Sequence, residues 1–321
     1  MLNVFFTVDV EIWCNGWNDI DKKFPESFKR YIYGPTSKGD YALPIQLQVL
    51  QDHGLKGVFF IEPLFSTRFG GAPLQEIVGL INDGKQEIQL HLHTEWVDEA
   101  VVPLLPDSKK KRQHIKYFSL SEQEVLIGKG MDLLVQGGSN KISAFRAGSF
   151  GANQDTLRAL ESNDIKIDSS YNYISKMDGI CDIETDEVLF QPQLVEGIYE
   201  YPLSVYSDRK GHFRHAQLGA CSSSELSNML MSAADAGWDS FVILSHNFEL
   251  LNKSKSKVDN IVFQRFLSLC KFLEKHRDVF NCTGFSKVNP KAVERQPQPI
   301  ASNVISTAWR MAEQAVRRVQ R

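Results

Sequence analysis

Two spacings of hydrophobic residues alternate along the chain and predict alternating strands and helices. Runs rich in β-branched and aromatic residues predict strands at residues 2–12, 56–62 and 87–95. Apolar residues at helical spacing predict helices at residues 43–53 and 74–82. This order is typical of parallel β/α units, whose reactive side chains lie at the carboxyl ends of the strands. We therefore expect an α/β fold.

The alternation continues toward the carboxyl terminus. Further strands are predicted at residues 141–145, 165–168 and 240–245, and further helices at 121–136, 153–162, 222–237 and 258–276. The helices at 121 and 222 begin with Ser121-Glu-Gln-Glu124 and Ser222-Ser-Ser-Glu225, which are capping-box patterns. Residues 13–41 and 96–118 show no clear period, so we predict long loops there.

The composition changes near residue 288, where a proline-containing segment precedes a basic helix predicted at residues 305–321. We expect one domain at residues 1–287, followed by a linker and helix at 288–321. Trp309, Met311 and Ala315 give this helix a modest apolar face. We expect it to dock on its own domain or on a partner subunit, and contact with an anionic membrane surface is the alternative.

The predicted strand 87–95 carries polar side chains on one face. Strict alternation places Gln89, His91, His93 and Glu95 on the same side. Imidazoles and carboxylates are the usual ligands of divalent transition metals, so this face predicts a metal site. An exposed strand end that carries histidines by chance explains the stretch alone equally well.

Other polar candidates also follow strands. Asp9 and Glu11 share one face of the first strand, where their repulsion favours a cation or a proton between them. The alternative is that they cap a following element. Arg146 and His246 come directly after predicted strands, and a structural ion pair or a structural histidine is the alternative for each.

Composition excludes several classes of protein. The 321 residues are 42% hydrophobic and 23% charged, which is typical of a globular enzyme, and the net charge of -3 gives no case for nucleic-acid binding. Five widely spaced cysteines without a Cys-x-x-Cys pair favour reduced thiols and a cytoplasmic location. No stretch approaches the ~20 apolar residues of a membrane span, and no signal peptide is recognisable.

Together, these motifs resemble the metal-dependent polysaccharide deacetylases of carbohydrate esterase family 4. The resemblance covers roughly residues 1–276 and rests on six segments in order: Thr7-Val-Asp-Val-Glu11, residues 47–61, Glu87-Ile-Gln-Leu-His-Leu-His-Thr-Glu95, Phe145-Arg-Ala-Gly-Ser-Phe150, Asp168-Ser-Ser-Tyr171 and Leu244-Ser-His246. It implies a distorted (β/α) barrel, often with seven strands, and a divalent metal ion.

The resemblance also implies roles for individual residues. Asp9 takes the place of the catalytic base, Arg146 of the residue that orients it, and His246 of the general acid. Glu11 and His91 take the places of metal ligands. Asp168 belongs to a segment similar to that of bacterial members which modify glycans during biosynthesis, and we include it among the catalytic candidates.

The third metal ligand stays open between His93 and Glu95. The family places a second histidine four residues after the first, but Glu95 stands there and His93 is an additional imidazole. A continuous strand favours His93 as ligand and zinc as the metal, with Glu95 orienting an imidazole. A turn after Leu92 favours Glu95 and a harder ion such as manganese or magnesium. We favour His93 and zinc, with manganese, cobalt and nickel as alternatives.

We therefore expect a cytoplasmic, metal-dependent hydrolase of carbohydrate metabolism that removes N-acetyl groups from an acetamido sugar or a glycan intermediate of polysaccharide biosynthesis. A metal-activated water, an aspartate base and a histidine acid fit this reaction. Two alternatives are another metal-dependent amidohydrolase and a catalytically silent glycan-binding barrel.

Overall fold

The structure, a computed structural model, describes residues 1–106 and 110–319, with side chains up to residue 317. The sequence also predicts a solvated loop at the basic run Lys109-Lys-Lys-Arg112. Part of this run and the end of the predicted C-terminal helix lie outside the described residues. The chain divides into two compact units. The first comprises Met1–Gly57, Ser204–Thr283 and the residues from Gln298 onward, and the second comprises Val58–Leu203 and Gly284–Pro297. The predicted boundary at residue 288 stays a prediction.

The strands, in chain order, are β1 (Leu2–Val10), β2 (Pro35–Thr36), β3 (Gly39–Asp40), β4 (Gly57–Ile61), β5 (Glu87–Leu92), β6 (Ala144–Ala147), β7 (Ile167–Asp168), β8 (Gln193–Val195), β9 (Ile198–Glu200), β10 (Val205–Arg209), β11 (His212–His215), β12 (Ser240–His246), β13 (Phe280–Cys282) and β14 (Ile300–Ala301).

The α-helices are α1 (Ile20–Phe28), α2 (Leu43–Asp52), α3 (Ser66–Phe69), α4 (Ala72–Asp83), α5 (Leu120–Gln136), α6 (Gln154–Ser162), α7 (Tyr173–Met177), α8 (Ser223–Asp235), α9 (Asn260–Lys275) and α10 (Val304–Val319). A π-helix spans Lys29–Tyr33, and short 3-10 helices span Thr94–Glu99, Ile115–Tyr117, Gly148–Phe150 and Phe285–Lys287.

In the first unit, β1 forms the centre of a parallel arrangement. It pairs with β12 from Asn3 to Asp9 and with β13 near its amino-terminal end. Both faces of β1 are buried, as expected for a parallel strand covered on both sides. The register makes Asp9 the partner of His246, so the carboxyl ends of these two strands lie side by side.

In the second unit, β4, β5, β6, β7 and β9 pair in parallel in that order, and β8 adds an antiparallel edge to β9. The parallel pairing in both units confirms the predicted α/β class. Among the described residues, β1, β12 and β13 pair in parallel in the first unit, apart from the separate parallel pair β10–β14, and the sheet of the second unit has six strands. The expected number of seven strands is therefore wrong.

The segment 13–41, predicted as a long loop, contains α1, the π-helix and the β2–β3 hairpin. Helix α1 buries Ile20, Phe24 and Ser27 at helical spacing, although it contains Pro25. A proline in a helix interior removes a hydrogen bond, and the packing of the buried side chains outweighs that cost here.

The central histidine strand is shorter than predicted. β5 ends at Leu92, and the backbone enters the 3-10 helix at Thr94. The Trp96 side chain is 1% exposed and makes edge contacts with Phe65 and Phe69. Burying this large side chain requires the chain to leave the strand before Glu95, so the prediction of a strand through residue 95 is wrong.

Two smaller predictions also need correction. The capping box of α5 is formed by Ser119 and Glu122 rather than by Ser121 and Glu124, because Ser119 Oγ accepts the Glu122 N–H and the Glu122 carboxylate accepts the Ser119 N–H. Arg146 lies within β6 rather than after it. The capping box of α8 at Ser222 and Glu225 is confirmed.

Helix α10 docks on the first unit through its polar side. Ser306 and Arg310 are buried, whereas Trp309 and Met311 are each 60% exposed. Arg310 reaches Glu225 Oε1 at 3.0 Å and Asp208 Oδ2 at 2.8 Å. Contact with a partner or a membrane through the exposed side stays a prediction. Among the described residues, no helix combines the length and the apolar character needed to span a membrane.

Candidate active site

Three candidates from the sequence lie together in the first unit. Asp9 on β1 is the register partner of His246 on β12, and Glu11 is the first residue after β1. One donor atom from each of Asp9, Glu11 and His246 lies within 4.8 Å of the others. Asp9 and Glu11 are 3% and 8% exposed. Two carboxylates and an imidazole at this spacing can share a proton or hold a cation.

The backbone beyond β1 is fixed by the Asn247 side chain. Its Oδ1 accepts the Glu11 N–H at 3.1 Å, and its Nδ2 donates to the carbonyl oxygens of Glu11 and Tyr31 at 3.2 and 2.7 Å. Gln46 Nε2 donates to the carbonyl oxygens of His246 and Asn247 at 2.8 and 3.1 Å. These amides hold the ends of β1 and β12 in place, so the Glu11 and His246 side chains start from rigid positions.

The His246 imidazole is oriented by a carboxylate that the sequence reading missed. His246 Nδ1 lies 2.8 Å from Glu249 Oε2, and Gln217 Nε2 donates to both Glu249 oxygens at 3.1 and 3.2 Å. Burial lowers the pKa of His246, but hydrogen bonding and charge attraction from Glu249, with smaller contributions from Glu11 and Asp9, outweigh it and raise the pKa to about 9. The imidazole is therefore protonated at neutral pH in this state.

The histidine pair occupies the second unit. The ring centroids of His91 and His93 are 4.8 Å apart, and both side chains are buried. His91 Nδ1 lies 2.8 Å from the Arg146 carbonyl oxygen, and His93 Nδ1 lies 3.3 Å from Glu95 Oε2. A neutral imidazole that donates its Nδ1–H presents Nε2 as a lone pair for a metal. Both rings therefore have the second contact that commonly orients a histidine ligand.

This arrangement combines features that the sequence reading treated as alternatives. The chain turns after Leu92, yet His93 keeps an extended backbone and stays beside His91. Glu95 contacts the His93 ring, which is the orienting position predicted for it. The choice of His93 over Glu95 as the ligand stays a prediction.

Glu62 is a second acid that the sequence reading passed over. It follows β4 directly and accepts the N–H groups of Leu64 and Phe65 at 2.7 and 3.3 Å. Burial raises the pKa of Glu62 to about 8, although its hydrogen bonds and the nearby His93 act in the opposite direction. Its position at a strand's carboxyl end was the available signal, as it was for Asp9.

Arg146 is fully buried in the second unit. Its Nε donates to the Ser169 carbonyl oxygen at 3.2 Å and its Nη2 to Ser169 Oγ at 3.0 Å. Its guanidinium carbon lies 4.4 Å from the centre of the Phe60 ring. These contacts fix the guanidinium plane.

Asp168 belongs to a buried carboxyl pair. It is the register partner of Glu200, and both residues are inaccessible to solvent. Ser170 Oγ donates to Asp168 Oδ1 at 2.6 Å, and the Tyr171 N–H donates to Glu200 Oε1 at 3.0 Å. Burial raises the pKa of Asp168, and burial together with the Asp168 charge raises the pKa of Glu200 well above its ordinary value. We infer that Glu200 is protonated and donates to Asp168.

Comparison with known proteins shows that this chain resembles solved structures in its fold, but not in its sequence. No protein-family model and no curated protein matches the chain. A Mycobacterium smegmatis protein named as a polysaccharide deacetylase is similar with a TM-score of 0.56 and 15% identity, over 92% of this chain and 95% of that one. This chain has the fold of the polysaccharide deacetylases. The predicted resemblance and the deacetylase-type distorted barrel are thereby confirmed at the level of fold.

The deacetylase fold does not by itself decide the activity. The 4-alpha-glucanotransferase of Thermococcus litoralis is similar with a TM-score of 0.51 and 11% identity, over 94% of this chain and 42% of that one. The function therefore has to be argued from the side chains.

Proposed function

We propose that the protein is a metal-dependent hydrolase that removes N-acetyl groups from an acetamido sugar or glycan intermediate. The cluster of Asp9, Glu11 and His246 carries the proposal, because it combines a buried carboxylate pair with an imidazole held by Glu249. Amide hydrolysis needs a group that accepts a proton from water and a group that donates one to the departing amine. Asp9 and His246 are suited to these two tasks.

We propose Glu11, His91 and His93 as the metal ligands, with Glu95 orienting His93. Two imidazoles and one carboxylate form a donor set that suits zinc, and manganese, cobalt and nickel are alternatives. The Nδ1 contacts of the two histidines support this choice, because they leave Nε2 as the coordinating atom. A divalent ion bound there supplies a Lewis acid for the acetyl oxygen and a water of lowered pKa.

The proton movements use the protein's own groups. Asp9 accepts the proton of the attacking water, and His246 donates its Nε2 proton to the leaving nitrogen. Glu249 stays on Nδ1 and stabilises the imidazolium before that transfer. As the resemblance implies, Arg146 orients the Asp9 carboxylate.

Asp168 acts as a positioning residue in this proposal. It binds Ser170 Oγ, which accepts the N–H of Ala147, the residue after Arg146, at 2.8 Å. Location in the cytoplasm and a role in polysaccharide biosynthesis stay predictions from the sequence.

The test compares metal content and acetate release across three variants. Asp9→Asn and His246→Ala are expected to keep near-normal metal content and to lower turnover of N-acetylglucosamine oligomers by about 100-fold or more, as expected for lost acid and base groups. Asp40→Asn, an exposed aspartate on β3, is the control and should behave like the unchanged protein. Absence of a bound divalent ion after reconstitution would refute the mechanism. Loss of metal from His246→Ala would make His246 a ligand instead of an acid.

The two alternatives give different results in the same experiment. A second metal ion or a carbamylated lysine would indicate another type of amidohydrolase. Stoichiometric metal without turnover on any acetamide would indicate a catalytically silent glycan-binding protein. Glu95, which stands where the family has a histidine, is the feature that favours the silent alternative.

A further inference from the structure

A pocket of about 600 Å³ lies in the first unit beside the proposed general acid. Its walls include His246, Phe248, Glu249, Arg317 and the loop 252–257. This volume lies within the ~300–1,000 Å³ that is typical of small-molecule sites. The pocket is therefore large enough for a sugar with a substituent, and it reaches the His246 imidazole.

The pocket has an excess of positive charge. Lys253, Lys255 and Lys257 line it, and the part of the chain that the structure describes gives none of the three an acidic partner within ion-pair distance. The two acids in its wall are already engaged. Glu249 binds His246, and Asp259 Oδ2 accepts from Arg317 Nε at 2.8 Å.

The loop that carries the lysines is held in one conformation by Asn252. The Asn252 Oδ1 accepts hydrogen bonds from Ser254 Oγ at 3.2 Å, from Ser256 N at 3.0 Å and from Lys257 N at 3.1 Å. An antiparallel bridge between Leu251 and Val258 closes the base of the loop. A fixed loop lowers the ordering cost when a ligand binds.

Lys255 lies at the inner side of this loop. Its backbone has a φ of 56°, which is rare for a residue with a side chain. Its Nζ is 4.5 Å from the Tyr31 ring centre and 4.8 Å from that of Phe248. The Phe248 ring in turn stacks on His246, with the ring centroids 5.3 Å apart. The aromatic rings therefore connect the lysine loop to the proposed site of amine protonation.

We propose that this pocket binds an anionic group on the acetamido-sugar substrate and that Lys253, Lys255 and Lys257 supply the positive charge. The inference rests on the proposed function, because it assigns a substrate class to the same site. A phosphate ester and a carboxylate share the chemistry that the lysines recognise. A neutral acetamido sugar has no charged group for the lysines to bind.

The test is calorimetric titration of the full chain at low and high salt with three sugars. These are N-acetylglucosamine 1-phosphate, N-acetylmuramic acid, which carries a carboxylate, and neutral N-acetylglucosamine. At least one anionic sugar should bind about 10-fold more tightly than the neutral one, and this advantage should shrink at high salt. The tighter of the two anionic sugars distinguishes a phosphate from a carboxylate as the recognised group.

A double variant localises the effect. Lys253→Gln/Lys257→Gln should weaken anionic binding by about 10-fold, which corresponds to about 1.4 kcal/mol for two exposed charge contacts together. It should leave binding of the neutral sugar unchanged. The control Lys271→Gln/Lys275→Gln removes the same charge from exposed positions on α9 and should change binding by less than about 2-fold.

The results separate this inference from the proposed function. Equal affinity for anionic and neutral sugars, or an equal loss in the two double variants, would overturn the pocket assignment even if acetate is released. Lysine-dependent binding of an anionic sugar without acetate release from any substrate would support the assignment of the pocket and refute the proposed deacetylase activity.

Discussion

Replacing Arg310 should destabilise the protein strongly, because this residue is the charged anchor of α10. Its side chain is 4% exposed and lies between Glu225, which is fully buried, and Asp208, which is 7% exposed. The substitution Arg310→Met keeps a long side chain but removes the cation that Glu225 contacts, and it leaves Asp208 with the Arg214 guanidinium at 3.9 Å. Removing one partner of a buried ion pair lowers the free energy of unfolding by about 3–5 kcal/mol, because the remaining charge stays buried without a counter-charge.

The structure places the expected loss near the lower end of that range. Glu225 keeps the hydrogen bond from Ser222 N at 3.1 Å, and Asp208 Oδ1 keeps its contact with His212 Nδ1 at 2.6 Å. After Arg310 is removed, these contacts still provide a hydrogen bond to one oxygen of each carboxylate. We therefore expect a loss of about 3 kcal/mol in the free energy of unfolding at neutral pH.

Urea unfolding followed by far-UV circular dichroism measures this loss. The double variant Arg310→Met/Glu225→Gln should recover at least about 1 kcal/mol relative to the single one, since the amide removes the charge of Glu225, the more deeply buried of the two carboxylates, and still accepts from Ser222. Met311→Gln, an exposed change on the same helix, should stay within about 0.5 kcal/mol of the unchanged protein. A single variant as stable as this control, or a double variant less stable than the single, would show that α10 does not depend on the buried pair.

Two further predictions concern the metal ligands and the buried carboxyl pair. His93→Ala should lower metal affinity far more than Glu95→Ala, measured by competition with a chromogenic chelator, and the reverse order would make Glu95 the ligand. Because burial raises the pKa of Glu200, the folded state holds a proton that the unfolded chain releases above its ordinary pKa of 4.5, so this group lowers stability as pH rises from there. Glu200→Gln, whose amide donates to Asp168, should therefore flatten the decline in unfolding free energy toward alkaline pH. Glu196→Gln, a partly exposed control, should leave the slope unchanged.

The sequence predicted the β/α alternation because buried parallel strands have long apolar runs bounded by helix caps. It also identified polar residues at the strand ends, including Asp9 and His246. The register that makes these two residues neighbours could not be predicted, because it depends on how the strands pack against their helices. Helix α1 was missed because residues 13–41 show no clear hydrophobic period, and it forms despite Pro25 because Ile20 and Phe24 are buried by tertiary packing.

The sequence analysis counted both Asp9 and Asp168 among the catalytic candidates, Asp9 at the end of a predicted strand and Asp168 in a segment that resembles the family. Their surroundings separate them. Asp9 shares its space with Glu11 and an imidazole, so a proton or cation there can be exchanged with a substrate. Asp168 is fully buried, its Oδ1 accepts from Ser170 Oγ at 2.6 Å, and Glu200, which we infer to be protonated, lies beside it, so its carboxylate is closed to a substrate. A strand-end position makes a carboxylate a candidate, and whether its oxygens are open to a substrate decides whether it can act as a base.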